Sequence, residues 1–208
     1  MSKSNLTNYY QELNPYFQVY GIMLDIGCRS LKYLFQFDES KFEKLIGIDI
    51  ILPNDPFQNY LEFKNPNVLE LDYDYLEKRF SKRYILHEKN IIDFQIKKEY
   101  YGFIFCKHVI HFIPHNFQSQ LIDNLYAGLK LKGILYLKIN HNKNKQYSDP
   151  TKGNNIGKDC FKEKNTGTFH YINDPDEIYK NLSDKYNPES LTIDNKSVTA
   201  LVRKNNNC

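Results

Sequence analysis

One apolar run, Met23-Leu24-Asp25-Ile26, leads into Gly27-Cys28, and a second, Leu45-Ile46-Gly47-Ile48, leads into Asp49. Two short runs suited to buried strands, each with an acid at or beside its end and a glycine at the first exit, restrict the fold more than any other feature. Gly27 lets a strand end without a Cβ clash and lets a ligand come close to the backbone. In open α/β sheets, nucleotide-like ligands sit in the crevice outside the carboxyl ends of neighbouring strands. This pair of strand ends therefore predicts an α/β fold with a nucleotide-type crevice beside Gly27.

The rest of the chain repeats the strand-helix alternation. Apolar runs at 21–26, 45–50, 84–87, 102–106 and 133–139 are continuous rather than alternating, as expected of parallel strands covered on both faces. Helical faces lie between them: Leu31, Leu34 and Phe35; Leu69, Tyr73, Leu76 and Phe80; Leu121, Leu125 and Leu129. Such alternation implies right-handed crossovers in a doubly wound sheet. The segment 52–67, with Pro53, Pro56 and Pro66, reads as a long loop. The polar stretch 140–168 reads as a longer loop or lid insertion. Asp174-Pro175-Asp176-Glu177 has the chemistry of a helix start. Ser190–Ile193 and Ser197–Val202, set off by Asn187-Pro188 and Asp194-Asn195-Lys196, read as a closing hairpin. The expectation is one domain over 1–208, α/β and doubly wound, with a mostly parallel seven-stranded sheet, a C-terminal antiparallel hairpin and an N-terminal helical segment at 1–20.

Bulk composition narrows the function classes. A chain of 208 residues suits one well-buried domain. The net charge of +3 is mild and Lys and Arg are scattered, which leaves a nucleic-acid partner open without favouring it. No window has the length of a membrane span, and Met1–Asn5 lacks a signal-peptide core, so no membrane association and a cytoplasmic location are expected. The 4 cysteines form no CxxC pair, in keeping with a reducing compartment. Cys106, His108, His111 and His115 have residue types that bind zinc, but Cys106 ends a strand and no second ligand pair accompanies it, so no metal is assigned.

Several spaced pieces together resemble the class I S-adenosylmethionine-dependent methyltransferases, over about residues 21 to 203. Met23–Cys28 is similar to the family's first motif, and Asp49 to the acid ending its second strand. Glu88-Lys89-Asn90-Ile91-Ile92-Asp93-Phe94 resembles the segment bordering the adenine, and Phe103–Pro114 the fourth motif. Leu125–Leu137, with Lys132-Gly133 at its turn, resembles the leucine-rich helix and fifth strand. The layout is similar to the small-molecule and tellurite-resistance-like branches.

The resemblance implies S-adenosylmethionine as cofactor, a methyl transfer and a small-molecule acceptor. It assigns the ligand's ammonium to Asp25 and the ribose hydroxyls to Asp49, with Ile50 beside it. It assigns the adenine edge to Asn90 and the amide of Ile91, and the methionine half to backbone at Gly27, Cys28, Arg29 and Cys106. His111, just past the fourth strand, is the candidate catalytic residue, able to orient a nucleophile or take its proton near neutral pH; capping a helix or packing on Phe112 is the alternative. Arg29 and Leu31 stand where the family has glycines, and a side chain at either place is expected to narrow the groove. Asn90 and Gly102 stand where acids are usual. Tyr9, Tyr10, Tyr16, Phe17 and Tyr20 could form a lid or a helix's core face. Two other functions stay open: a non-catalytic binding protein with a degenerate glycine motif, and an RNA or protein methyltransferase whose substrate is held by 140–168.

Overall fold

The computed structural model describes residues 21–29, 31, 34–35, 41–64, 73–157 and 159–205. The expected N-terminal helical segment and its aromatic residues, along with Leu69, lie outside these residues. The strands are β1 (Gly21–Ile26), β2 (Phe42–Asp49), β3 (Tyr84–Glu88), β4 (Tyr101–Lys107), β5 (Leu129–Asn140), β6 (Gly153–Asn155), β7 (Cys160–Glu163), β8 (Phe169–Tyr171), β9 (Ser190–Ile193) and β10 (Ser197–Arg203). The helices are α1 (Pro56–Lys64), α2 (Tyr73–Arg83), α3 (His115–Gly128) and α4 (Pro175–Tyr186).

Seven strands form one sheet in the order β3-β2-β1-β4-β5-β10-β9. The first five pair in parallel, and β10 runs antiparallel to both β5 and β9. Strand order reverses between β1 and β4, the place where crossovers diverge to opposite faces and leave a crevice. Period-two alternation divides the core. Leu24, Ile26, Ile104 and Cys106 fill one face, while Met23, Phe103 and Phe105 fill the other, with Leu31, Leu34 and Phe35. Asp25 continues the second row at its carboxyl end, where the apolar layer gives way to the crevice.

Two stretches read as loops are structured. Within 52–67, Pro56 opens α1 and the Asp55 carboxylate accepts the Gln58 N–H at 2.9 Å, an N-terminal cap. The helix is held by Tyr60, whose ring lies 5.4 Å from both Phe35 and Tyr84. The stretch 140–168 carries a 3-10 turn at Lys145–Tyr147 and most of a second, antiparallel sheet, β6-β7-β8. Tyr147, Phe161 and Ile172 form its own small core. Leu129, read as helical, is already in β5. Asp174 caps α4 by accepting the Asp176 N–H at 2.9 Å, and the C-terminal hairpin forms as expected. Among the described residues, no helix is long and apolar enough to cross a membrane.

Candidate functional site at the carboxyl end of the sheet

The chain leaves β1 through Gly27, at φ +76°, whose N–H donates to the Ile48 carbonyl at 2.8 Å. A Cβ there would lie 2.3 Å from Cγ2 of Val109, at the exit of β4. Both the left-handed backbone and the close approach of β4 require glycine at this position. The turn closes when Leu31 N–H donates to the Cys28 carbonyl at 2.5 Å.

The two residues standing in place of glycines are placed differently. Arg29 is exposed, and its backbone N–H donates to the Asp49 carboxylate. Leu31 takes φ +58° with its side chain fully buried among Leu34 and Met23, beneath the turn. The left-handed backbone costs a non-glycine residue about 1–2 kcal/mol, whereas truncating a buried leucine costs about 2–5 kcal/mol. Burial outweighs strain, so leucine is tolerated at a position glycine would otherwise suit. The Leu31 side chain thus packs in the core instead of in the groove.

Asp49 ends β2 half-buried. Its Oδ2 accepts the Arg29 N–H at 2.8 Å and its Oδ1 the Ile51 N–H at 3.1 Å. These bonds aim the carboxylate across the β1 turn and leave lone pairs on both oxygens for a further donor. Beside it, Ile50 and Ile51 are 63% and 56% exposed, bare apolar surface at the lip of the crevice. Across from Asp49, the chain leaving β3 donates Lys89 N–H to the Asp49 carbonyl at 2.8 Å. Asn90 then caps the 3-10 turn Ile91–Asp93, its side-chain oxygen accepting the Ile92 N–H at 3.1 Å. That engagement fixes the Asn90 side chain and leaves its amide nitrogen and the second lone pair of its oxygen for a ligand. Ile91 is buried in the core, while Ile92 stays partly exposed on the same lip.

Asp25 is the outlier of the site. Its carboxyl is 1% exposed and Oδ2 has no hydrogen-bond partner. Burial, reinforced by the nearby Asp49 charge and opposed by Lys107, pushes its pKa well above the usual carboxylate range. Buried polar atoms in folded proteins are nearly always satisfied, so a bare one at a crevice calls for a partner. Cys28 and Cys106 both have side chains in the core. Cys28 Sγ lies under Gly47, where an added Cβ would come within 2.9 Å of it. Burial raises both thiols far above their ordinary range, so they are inert packing groups, and only their backbone can face the crevice.

A second constellation forms at the exits of β4 and β5. His108 turns the chain out of β4 at φ +57°, with its N–H donating to the Lys138 carbonyl at 2.8 Å. His111, on the following 3-10 turn Ile110–Phe112, is 2% exposed, with Phe112 on one side, its ring centroid 4.2 Å away. His170, from β8, stacks on it with centroids 5.4 Å apart. Asn140, at the end of β5, lies between His111 and Tyr147. Burial, with His170 and His108 nearby, lowers the His111 pKa to about 3. Burial, with Lys107 and Lys138, lowers that of His108 to about 4, against a hydrogen bond that His108 donates to the Asn140 side-chain oxygen. His111 is thus a neutral ring at neutral pH and not the near-neutral base expected, because desolvation penalises its cation. Farther out, His115 turns away to the Asp159 carbonyl, 3.2 Å from Nε2.

Sequence reasoning missed His170, Tyr147 and Asn140. Asn165-Thr166-Gly167 followed by Phe169-His170-Tyr171 is a hairpin signal that marks β8. Nothing local, however, says which strand end it covers.

No protein-family model matches the chain, and no curated protein matches it in sequence. Its fold does match solved structures. It resembles a methyltransferase described as S-adenosylmethionine-dependent, from Methanosarcina mazei, with TM-score 0.66 and 17% identity, covering 94% of this chain and 98% of that one. It resembles a 1,6-didemethyltoxoflavin-N1-methyltransferase from Burkholderia thailandensis, solved with 1,6-didemethyltoxoflavin and S-adenosylhomocysteine, with TM-score 0.64 and 10% identity over 99% of this chain and 80% of that one. The N-methyltransferase NodS from Bradyrhizobium japonicum, in complex with S-adenosylhomocysteine, matches with TM-score 0.57 and 14% identity over 97% and 86%. The fold is the Rossmann-like one of these enzymes. At such identities the likeness is one of architecture.

Proposed function

We propose that this protein is an S-adenosylmethionine-dependent methyltransferase acting on a small-molecule acceptor. The observation that carries the proposal is the unpartnered Oδ2 of the fully buried Asp25 carboxyl at the switch point, one strand away from the carboxylate of Asp49. An ammonium group meeting Asp25, directly or through water, would satisfy the bare oxygen and favour the ionised form of the acid. Asp49 keeps lone pairs for the two ribose hydroxyls. The exposed faces of Ile50, Ile51 and Ile92 suit a flat apolar ring such as adenine, with the Asn90 amide nitrogen at its edge. Backbone at Gly27, Cys28, Arg29 and Cys106 would line the methionine half.

When bound, the cofactor supplies a methyl group already activated at sulfonium. The chain's own work is then to align the acceptor and exclude water. His111, four residues past the end of β4 and neutral, orients the acceptor by hydrogen bonding rather than by removing a proton. The methyltransferase fold of the neighbours, one of which is named for a small-molecule substrate, 1,6-didemethyltoxoflavin, supports the reading. The free thiols of Cys28, Cys106 and Cys160 suit the reducing cytoplasm as its location.

Titration calorimetry with S-adenosylmethionine and S-adenosylhomocysteine tests the proposal. Both should bind, and Asp49→Ala should weaken each at least tenfold, about 1.4 kcal/mol or more, by removing two charge-assisted hydrogen bonds. Failure of both ligands to bind the wild-type protein would leave a non-catalytic protein on the same fold.

A further inference from the structure

The stacked rings of His111 and His170 come from distant parts of the chain, the turn after β4 and strand β8, and lie 18° from parallel. Both residues are more than nine-tenths buried. Each leaves one ring nitrogen without a partner: Nδ1 of His111 and Nε2 of His170. Their other nitrogens face a single network. Asn140 Nδ2 is 3.4 Å from Nε2 of His111 and 3.4 Å from the Tyr147 hydroxyl oxygen. That hydroxyl is in turn 3.4 Å from Nδ1 of His170.

The network determines where the protons sit. An amide NH2 can only donate, so Nε2 of His111 accepts and the ring's proton is on Nδ1. The Tyr147 oxygen also accepts from Asn140, so its own hydrogen points at Nδ1 of His170. That nitrogen accepts in its turn, and the His170 proton is on Nε2. Both unpartnered nitrogens are therefore N–H donors on neutral rings, held in one tautomer by the same asparagine. Phe112, 42% exposed, sets its ring 4.2 Å from that of His111 and 4.8 Å from that of His170, an aromatic face beside the donors.

We infer that Asn140 is a positioning residue that presents His111 Nδ1–H and His170 Nε2–H to the acceptor, and that the acceptor is a planar compound offering a lone-pair oxygen, a phenolate or enolate. The role of this oxygen as part of the methyl acceptor rests on the methyltransferase reading; the donor pair does not. Two neutral donors and an aromatic wall stabilise a delocalised anion. They compensate poorly for a localised one, which demands a full countercharge when buried. Two buried donors left without such an oxygen would each lack a hydrogen bond, which is how a polar pocket discriminates against compounds that lack the matching group.

The test uses the full chain without added cofactor. Long-range proton–nitrogen NMR of ¹⁵N-labelled protein should show His111 protonated on Nδ1 and His170 on Nε2. Asn140→Asp, an acceptor in place of a donor, should move the His111 proton to Nε2. The probe is 4-nitrophenol, whose visible absorption reports its ionisation. Wild-type protein should bind the phenolate in preference to the phenol, and both Asn140→Asp and the ring-conserving His170→Phe should weaken phenolate binding at least tenfold. A wild-type His111 protonated on Nε2, or a tautomer unmoved by Asn140→Asp, would overturn the donor assignment. Absence of phenolate binding, or binding indifferent to both substitutions, would overturn the acceptor class. Calorimetry with S-adenosylmethionine on the same samples separates the two ideas: its failure beside intact phenolate binding removes the methyltransferase reading and leaves the donor pair standing.

Discussion

At the exits of β1 and β2 the crevice is built from backbone and two carboxylates within 25 residues of one another, with Gly27 turning between them and Asp49 bonded to the Arg29 amide. At the exits of β4 and β5 it is built from side chains that converge from four places: His108 and His111 after β4, Asn140 at the end of β5, Tyr147 beyond it and His170 on β8. The first half is local, anionic and tied to main-chain hydrogen bonds. The second is long-range, uncharged and tied together by one asparagine. Their ionisation differs accordingly. Burial pulls Asp25 up and the histidines down, so the acid and the two rings are each driven toward neutrality from opposite sides.

Acid should break the second half first, and this is the largest effect expected. His111 and His108 have folded pKa values depressed to about 3 and about 4, so below the unfolded value near 6.5 the unfolded chain binds protons that the folded chain refuses. Stability present above that pH is lost as the pH falls, by roughly 1.4 kcal/mol per pH unit for each of the two. Urea unfolding at a series of pH values should show this slope between pH 6.5 and about 4, and His111→Phe should reduce it. A flat profile would mean that the histidines are hydrated and the second half open.

Gly27→Ala probes the joint between the halves, because the added Cβ meets Val109 from the β4 side. With the left-handed backbone and a contact that must shift, a loss of about 3 kcal/mol is expected in chemical denaturation. A loss below about 1 kcal/mol would show that the two strand exits are not in contact.

The smallest effect has the opposite sign. The raised pKa of Asp25 means that the folded protein holds a proton the unfolded chain has released above the ordinary carboxylate value. Its contribution to stability is therefore greatest in acid and is lost as the pH rises through the folded pKa. Asp25→Asn removes the cost of burying an ionisable carboxyl, whether it is met by holding a proton or by an unpaired charge, so at neutral pH it should stabilise the ligand-free protein by about 1 kcal/mol while weakening S-adenosylmethionine binding. Thermal unfolding and calorimetry on one preparation check both halves of this expectation. A destabilised variant would mean that Asp25 already has a partner.

How much could be read in advance follows the same division. The parallel strands, the hairpin at 190–203 and the start of α4 were visible because each rests on a local pattern: continuous apolar runs, alternation around a turn, and Asp174-Pro175 at a helix start. The helix Pro56–Lys64 had an equally local signal in Asp55-Pro56, overlooked among three prolines. The consequence of Leu31 was not local. Glycine's absence suggested a narrowed groove, but the Leu31 side chain turned under the turn and joined the core, so the substitution strains the backbone instead of filling the groove.

The amino-acid order alone therefore determined the layering of the sheet and the pair of acids at its switch point, because hydrophobic period and strand-end chemistry act between neighbours in the chain. Only the tertiary structure decided that Asp25 is left bare, that Asn90 is committed to a cap, and that His170 lies on His111. Desolvation and hydrogen-bond satisfaction depend on what the folded chain brings alongside. For His111 that neighbour lies 59 residues away in sequence, on a strand whose place over the sheet no local pattern encodes.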